Sequence, residues 1–262
     1  MSSVNIKKNR FLGGLQARPT RCQWGLWCSI PHAATTEVCA GAGFEWMLFD
    51  MEHSPSDMQD VLGQLRVSAA FPPACVVRPP SNDPVVIKRL LDIGAQTLLI
   101  PFVQSAAEAE AAVAAASYPP RGTRGLTMSS RANGFGRQRD YLRTGVDEVA
   151  VVVQIETRAG LDQLEAIAAV PGLAGVFIGP SDLSADLGLL GQGETPQMRD
   201  IVVAAGARLQ ACGMPWGTLV GSPELADHYA AHGAAFVAVG VEQSLLRKAV
   251  DALAERFGLA PA

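Results

Sequence analysis

The sequence predicts one (β/α)8 barrel, a fold of the α/β class, over residues 1–262, with a helical segment before the first strand. Apolar strand-like runs alternate with helix-like segments, and one unit recurs roughly every 30 residues. The chain length of 262 residues is close to the ~250 typical of such a barrel. An open doubly wound sheet would favour a glycine-rich loop after the first strand, where this chain has Pro31-His32-Ala33-Ala34.

The predicted strands are short apolar runs rich in β-branched and aromatic residues. Such runs are expected where helices cover both faces of a parallel sheet. The run at 149–153 is almost entirely valine, and it turns polar at its carboxyl end. The eight predicted strands cover residues 24–30, 46–51, 74–77, 97–102, 149–153, 176–178, 216–220 and 235–239.

The predicted helices follow from capping residues and from apolar residues at helical spacing. Ser56 is expected to cap one helix, and Asp83-Pro84 is a strong start for another. The connection from Tyr118 to about Gly145 departs from the regular alternation. After a short N-terminal helix, the predicted helices cover residues 37–42, 56–69, 84–92, 106–117, a segment around 161–168 closed by Pro171-Gly172, 195–212, 223–231 and 244–257.

Composition and charge argue against several classes of protein. The net charge of −4 and the pI of about 5.6 give no electrostatic reason to expect nucleic acid or an anionic membrane as a partner. The N-terminal stretch lacks the apolar core of a secretion signal, and the run at 97–103 is too short to span a membrane. The five cysteines form no CxxC pair, which favours reduced core residues of a cytoplasmic protein.

Polar residues follow the predicted strands at a single face of the barrel. Catalytic groups and ligands gather at the carboxyl ends of strands in such folds. Each of these residues alone has an ordinary explanation, as a helix cap or a solvated loop side chain. Their coincidence on adjacent strand ends favours a functional site. They are Asp50 and His53 after the second strand, Arg78 after the third, Gln104 after the fourth, Gln154 and Glu156 after the fifth, and Ser181 and Asp182 after the sixth.

Two features of this set indicate a metal site. Glu156 and Asp182 end neighbouring strands, and paired carboxylates with open water positions suit Mg2+ or Mn2+ better than zinc. A Schiff-base aldolase would need a desolvated lysine inside the barrel, and none of the lysines ends a predicted strand. Carbonyl chemistry at this site would therefore use a metal as Lewis acid.

Several stretches of the sequence resemble one family closely. They are AGAGFEWMLFDMEHSP, VVRPPSNDPVVIKRLLDIGAQTLLIPFVQ, YPPRGTRG, VVVQIETRAG, GVFIGPSDLSADLG and GAAFVAVGVE, and they lie between residue 24 and the end of the chain. They resemble the HpcH/HpaI family of class II, metal-dependent pyruvate aldolases. The resemblance implies a TIM barrel and a homohexamer, a trimer of dimers whose last helices are exchanged. It also implies a divalent ion, Mg2+, Mn2+ or Co2+, as cofactor.

The resemblance assigns roles to individual positions. Glu156 and Asp182 would hold the metal, and the pyruvate carboxylate would meet the backbone N–H groups of Ser181 and Asp182. Gln154 would contact the substrate or a metal-bound water. Arg78 would stabilise the developing enolate oxygen, and His53 would move the proton, with Asp50 supporting the site. Without these neighbours, His53 would be interpreted as an ordinary loop histidine.

Two positions leave alternatives open. The resemblance gives Asp92 the role of raising the basicity of His53, yet Asp92 ends a helix that should finish at the opposite face of the barrel. Either the helix geometry is unusual, or a neighbouring subunit supplies this carboxylate, or Asp92 is a plain helix-end residue. The Arg- and Gly-rich connection 119–143, with Arg124 and Arg131, is either a solvated loop or the lining of an active site that helps select the aldehyde.

The sequence therefore predicts an aldehyde-lyase. It would reversibly cleave 4-hydroxy-2-oxo acids into pyruvate and an aldehyde through a metal-bound pyruvate enolate, with oxaloacetate decarboxylation as a side reaction. The alternatives are an acyl-CoA lyase of the same superfamily, a non-catalytic barrel that binds oxo acids, and the Schiff-base aldolase disfavoured by the lysine positions.

Overall fold

Eight parallel strands close into a barrel in the computed structural model, which describes residues 7–17 and 21–259. Each strand pairs with the next along the chain, and β8 pairs with β1, so the predicted (β/α)8 fold is confirmed. The strands are β1 (Gln23–Cys28), β2 (Trp46–Asp50), β3 (Ala74–Arg78), β4 (Thr97–Ile100), β5 (Ala150–Ile155), β6 (Leu173–Ile178), β7 (Trp216–Leu219) and β8 (Phe236–Val241).

Helices form the outer layer and join the strands. Within the described residues they are α1 (Arg10–Gln16), α2 (Ala33–Ala40), α3 (Met58–Ser68), α4 (Pro84–Asp92), α5 (Ala106–Ala116), α6 (Tyr141–Thr144), α7 (Arg158–Asp162), α8 (Leu164–Ala168), α9 (Pro180–Asp186), α10 (Pro196–Ala211), α11 (Pro223–Ala231) and α12 (Glu242–Arg256). A 3-10 turn, Gly145–Glu148, precedes β5. Part of the polar segment predicted to precede β1, residues 1–6, lies outside the described residues.

The amino end of the barrel is closed by α1. Phe11 and Leu15 of this helix are buried inside the barrel, and the Phe11 ring meets Trp46 at 5.7 Å and Phe236 at 5.1 Å between centroids, both edge to face. Gly25 makes room for this packing, because a Cβ there would lie 2.1 Å from the Trp46 indole. We therefore call the amino end of the strands the closed end, and their carboxyl end the open end.

Several predicted boundaries are wrong by a few residues. The helix predicted to begin at Ser56 is capped by Asp57, whose carboxylate accepts from the backbone of Gln59 and Asp60. β4 ends at Ile100 instead of residue 102, because Phe102 adopts a left-handed backbone with φ of 56°. The segment predicted as one helix around 161–168 is two short helices, α7 and α8, that meet at Gln163.

The last helix, α12, leaves its apolar face uncovered. The apolar side chains of this helix and of its C-cap are between 49% and 73% exposed, namely Leu245, Leu246, Val250, Leu253 and Phe257. A barrel helix normally buries such a stripe. The apolar stripe of α12 therefore has no partner among the described residues of its own chain. No helix in the described part of the chain combines the length and apolar character needed to cross a membrane.

Candidate active site

A cavity of about 210 Å3 lies at the open end of the barrel. It is lined by Trp27, Ser29, Asp50, His53, Arg78, Gln154, Phe177, Gly179, Pro180, Ser181, Asp182, Leu219 and Val241. Six predicted site residues are in this lining, namely Asp50, His53, Arg78, Gln154, Ser181 and Asp182. Glu156 is buried directly beside Gln154. Gln104 and Asp92 are not among the lining residues.

Arg78 is fixed at the end of β3 by a two-pronged contact with Asp50 at the end of β2. Its Nε and Nη2 donate to the two carboxylate oxygens of Asp50 at 2.8 and 2.6 Å. The Trp27 indole lies 4.6 Å from the guanidinium carbon, and its Nε1 donates to Asp50. Burial would raise the pKa of Asp50, but hydrogen bonds and charge from Arg78 hold that pKa below its usual range. Arg78 is thus a rigid, charged group facing the cavity.

Glu52 is a further member of the site that the sequence prediction did not include. Its Oε2 lies 2.6 Å from Nη1 of Arg78, an ion pair without the alignment of a hydrogen bond. Burial raises the pKa of Glu52, and Arg78 opposes that rise. Glu52 belongs to the polar run Asp50-Met51-Glu52-His53, which could have suggested a role in the site. β2 ends at Asp50, however, so the alternation of a strand does not predict the direction of the Glu52 side chain.

Glu156 is the most perturbed acid of the open end. It is 2% exposed, and its Oε1 accepts the backbone N–H of Phe102 at 2.8 Å. Gln154 Nε2 donates to its other oxygen. Burial, followed by the negative charges of Glu52 and Asp182, raises the pKa of Glu156 to about 7. The left-handed turn at Phe102 that follows β4 therefore also supplies a hydrogen-bond donor to the Glu156 carboxylate.

Gly179 brings the ends of β5 and β6 close together. A Cβ at this position would lie 2.8 Å from Gln154 Nε2 and 2.9 Å from Glu156 Oε2, so any side chain would displace the site. Gly179 is also the N-cap of α9 and provides no capping side chain. The first turn of α9 carries Ser181 and Asp182, both exposed towards the cavity.

His53 lies at the rim of the cavity, whereas Asp92 does not approach it within one chain. His53 is exposed, and its backbone N–H approaches Asp50 Oδ1 at 3.5 Å. Asp92 is the last residue of α4, at the closed end, where it receives a 2.8 Å hydrogen bond from Arg124. A contact between His53 and Asp92 would need a second chain.

The Arg- and Gly-rich connection 119–143 packs at the closed end. Arg124 has no exposed side-chain area and lies over the Tyr118 ring at 4.5 Å, and Arg131 donates to the Ile93 carbonyl at 2.8 Å. None of the described residues 119–143 lines the cavity of its own chain. Arg124 is thus packed and not solvated, and a role of this connection at the active site of a neighbouring chain stays a prediction.

The donor set of the cavity suits a hard divalent cation. No group of three or more His, Cys, Asp or Glu forms a metal-ligand cluster among residues 7–17 and 21–259. Glu156 nevertheless lies in the field of Asp182, and Gln154 Oε1 is buried without a hydrogen-bond partner in the described structure. Carboxylate and amide oxygens are the ligands that Mg2+ and Mn2+ prefer, and a dication would offset the repulsion between the acids.

Comparison with known proteins identifies relatives along almost the whole chain. The model of the HpcH/HpaI aldolase/citrate lyase family matches residues 23–249. A pyruvate aldolase of Rhizobium etli is 49% identical, with 97% of this chain and 99% of that protein covered. A 4-hydroxy-2-oxo-heptane-1,7-dioate aldolase of Salmonella dublin is 48% identical, with 96% and 95% covered. The crystal structure of an HpcH/HpaI aldolase/citrate lyase family protein from Burkholderia cenocepacia J2315 superposes with a TM-score of 0.90 at 38% identity, covering 95% and 99%.

Proposed function

Since this chain belongs to the HpcH/HpaI aldolase/citrate lyase family, we propose that it is a metal-dependent aldolase that reversibly cleaves 4-hydroxy-2-oxo acids into pyruvate and an aldehyde. One observation carries the proposal. Glu156, buried and crowded by the charges of Glu52 and Asp182, contacts Gln154 in the lining of a cavity that also presents the fixed guanidinium of Arg78. No lysine is among the described lining residues, which disfavours a Schiff base.

Glu156 and Asp182 are the residues that would hold the divalent ion, with Gln154 Oε1 available to the substrate or to a water on the ion. When bound, the ion would polarise the keto group of the oxo acid and so lower the barrier to enolate formation. Mg2+, Mn2+ and Co2+ are all compatible with oxygen donors of this kind.

The backbone amides of Ser181 and Asp182 would bind the substrate carboxylate. Both residues lie in the first turn of α9, where N–H groups have no carbonyl partner within the helix, and Gly179 offers no side chain to cap them. The substrate carboxylate would then lie close to the carboxylates of Glu156 and Asp182. It could bind there only if the negative charge of these two acids were offset.

Arg78 would stabilise negative charge on the keto oxygen as carbon–carbon cleavage proceeds. Its guanidinium is already held by Asp50, Glu52 and Trp27, so little reorganisation is needed when charge develops. A preorganised cation of this kind stabilises the transition state more than the ground state.

His53 would handle the proton. In the cleavage direction it accepts the proton of the C4 hydroxyl while the C3–C4 bond breaks, which releases the aldehyde and leaves the pyruvate enolate. The proton then returns to C3 and gives the methyl group of pyruvate. Loss of CO2 from oxaloacetate passes through the same enolate, so we expect this decarboxylation as a side activity.

We further propose that the chain acts as an oligomer with exchanged α12 helices. The apolar stripe of α12 is exposed. A groove of about 660 Å3 lies on the outer surface near α11. Its lining is mostly apolar, with Trp24, Phe44, Ala226 and Val239, and also includes the charged Arg21, Glu45 and Asp227. This groove has the position and chemistry to receive the α12 of a second copy. A neighbouring chain is also the one source from which Asp92 could reach His53.

The proposal is tested by measuring pyruvate release from 4-hydroxy-2-oxoheptanedioate. We expect turnover by the protein as purified, its loss after EDTA treatment, and its recovery with Mn2+. Retained turnover in EDTA, together with inactivation by borohydride in the presence of pyruvate, would instead establish a Schiff-base mechanism. A panel of aldehydes with pyruvate would then rank the acceptors, and cleavage of an acyl-CoA substrate without any aldol cleavage would favour the lyase of the same superfamily.

A further inference from the structure

The closed end of the barrel contains a second cavity that the proposed reaction does not use. Its volume is about 130 Å3. The N-terminal segment, with Lys7 and Arg10, forms one side of it, and Arg131 of the long connection forms another. The floor includes Cys75 at β3 and Gly94 before β4. Three separate parts of the chain therefore meet around one small space.

The lining of this cavity is positively charged without a matching negative charge. It contains Lys7, Lys8, Arg10 and Arg131 and no Asp or Glu. Lys8 is neutralised by Glu148 at 2.5 Å, but none of the ion pairs of the described residues includes the other three cations. Residues 1–6, 18–20 and 260–262 contain no Asp or Glu in the sequence that could supply a missing side chain.

Arg131 is held in place by its surroundings. Its Nη1 donates to the Ile93 carbonyl at the end of α4 at 2.8 Å, and its Nη2 donates to the Leu65 carbonyl of α3 at 3.4 Å. Gly94, with φ of 99°, leaves the space for the guanidinium, because a Cβ at this position would lie 2.5 Å from Nη1. A guanidinium has five N–H donors, so three remain beyond these two contacts.

The charged groups around Arg131 also leave this guanidinium without a negatively charged partner. Burial, and then repulsion by Arg66 at the end of α3, lower the pKa of Arg131, and no carboxylate is among the groups that raise it. Arg10 uses one donor on the Pro72 carbonyl at 2.6 Å, which leaves its other donors available. A half-buried cation that retains donors and lacks a counter-ion favours the binding of an anion.

We propose that this cavity is a binding site for a small, doubly charged oxyanion such as a phosphate or a short dicarboxylate. Its volume lies well below the roughly 300–1,000 Å3 of sites for larger organic ligands, which limits the ligand to this size. An anion bridging Lys7, Arg10 and Arg131 would tie the N-terminal segment and the long connection to the closed end. It would therefore stabilise the folded chain without entering the catalytic cavity.

The test measures binding of phosphate, sulfate and malonate to the metal-free protein by calorimetry and by thermal unfolding at constant ionic strength. The informative variant is Lys7→Ala with Arg10→Ala, since both side chains are exposed and neither touches the open end. The matched control is Arg139→Ala with Arg143→Ala, which removes the same charge from exposed positions outside the cavity.

We expect one anion per chain in the unmodified protein and in the control, and an affinity at least about tenfold weaker in the Lys7→Ala/Arg10→Ala variant, since charge-assisted hydrogen bonds are lost. Preference for phosphate and sulfate over malonate, or the reverse, identifies the source of the oxyanion. Absence of binding, or equal affinity in all three proteins, would overturn the proposal, because equal affinity would place the anion at Arg78 or on the general surface.

Discussion

The buried side chain of Asn9 at the closed end of the barrel is matched with neutral partners, whereas at the open end carboxylates crowd one another. At the closed end, Asn9 donates through Nδ2 to Thr97 Oγ1 at 2.9 Å and to the Glu148 carbonyl at 3.0 Å, and its Oδ1 caps α1. At the open end, the pKa of Glu156 is raised to about 7, and Gln154 Oε1 lacks a partner in the described structure.

This difference indicates that the closed end contributes mainly to folding stability and the open end mainly to catalysis. Satisfied hydrogen bonds of the kind made by Asn9 hold α1 at the closed end at little electrostatic cost. The open end keeps like charges in a desolvated position, which is unfavourable for folding and useful for binding a cation. Substitutions at the two ends should therefore have opposite signatures, with large effects on turnover at the open end and on unfolding at the closed end.

Substitution Arg78→Lys should give the largest effect and should act on turnover. A lysine retains the charge but cannot hold Asp50 with two parallel hydrogen bonds while facing the substrate. We expect kcat/KM for aldol cleavage to fall by roughly 10^2–10^3, the usual loss for one preorganised donor to a developing oxyanion. Steady-state kinetics measure this effect, and a fall of less than about threefold would remove Arg78 from the proposed role.

The second largest effect should be a dependence of the free energy of unfolding on pH that arises from Glu156 at the open end. The pKa of Glu156 is raised from its ordinary value of 4.5 to about 7, so the folded state holds this proton more tightly than the unfolded chain. The contribution of this proton to the free energy of unfolding is fully present below pH 4.5 and is lost as the pH rises through about 7. In the metal-free protein we expect a decrease of up to about 3 kcal/mol in the free energy of unfolding.

Urea unfolding between pH 5 and pH 8 in EDTA measures this decrease, and Glu156→Gln should largely remove it. The same pH slope in both proteins would show that Glu156 ionises normally. Asn9→Ala, measured in the same series, should leave the pH dependence of the free energy of unfolding unchanged, because Asn9 is at the closed end.

Asn9→Ala should lower the free energy of unfolding by about 1–3 kcal/mol, because it leaves buried acceptors at Thr97 and Glu148 without their donor. We expect kcat/KM to remain within about twofold of the original value, since Asn9 is at the opposite end of the barrel from the cavity. Urea unfolding and kinetics on the same preparation provide the two readouts. A large loss of activity with unchanged stability would contradict the separation between the two ends.

The fold could be predicted because strand burial leaves a direct trace in the sequence. A valine-rich run such as 149–153 and a start such as Asp83-Pro84 encode local structure, and closure follows from the regular alternation. The end of β4 was missed because Phe102 is apolar and β-forming, while its left-handed backbone accompanies a hydrogen bond to Glu156, which directly follows β5 and is distant in sequence.

The site could be predicted as far as strand ends are visible, and no further. Arg78 and Glu156 follow apolar runs directly, so their position at the open end is implied by the fold. Glu52 lies beyond the end of β2, where side-chain direction no longer follows a period. Arg124 was expected in a polar connection, yet it is buried against Tyr118 and Asp92, which depends on tertiary contacts that its local sequence does not encode.

The central claim, that the carboxylates of Glu156 and Asp182 at the open end jointly bind one divalent ion, is tested most directly by equilibrium binding of Mn2+ followed by electron paramagnetic resonance. We expect one Mn2+ per chain in the unmodified protein, and a large loss of affinity in Glu156→Gln and in Asp182→Asn. The Asn9→Ala variant should bind as the unmodified protein does. Unchanged Mn2+ affinity in both carboxylate variants would contradict the account.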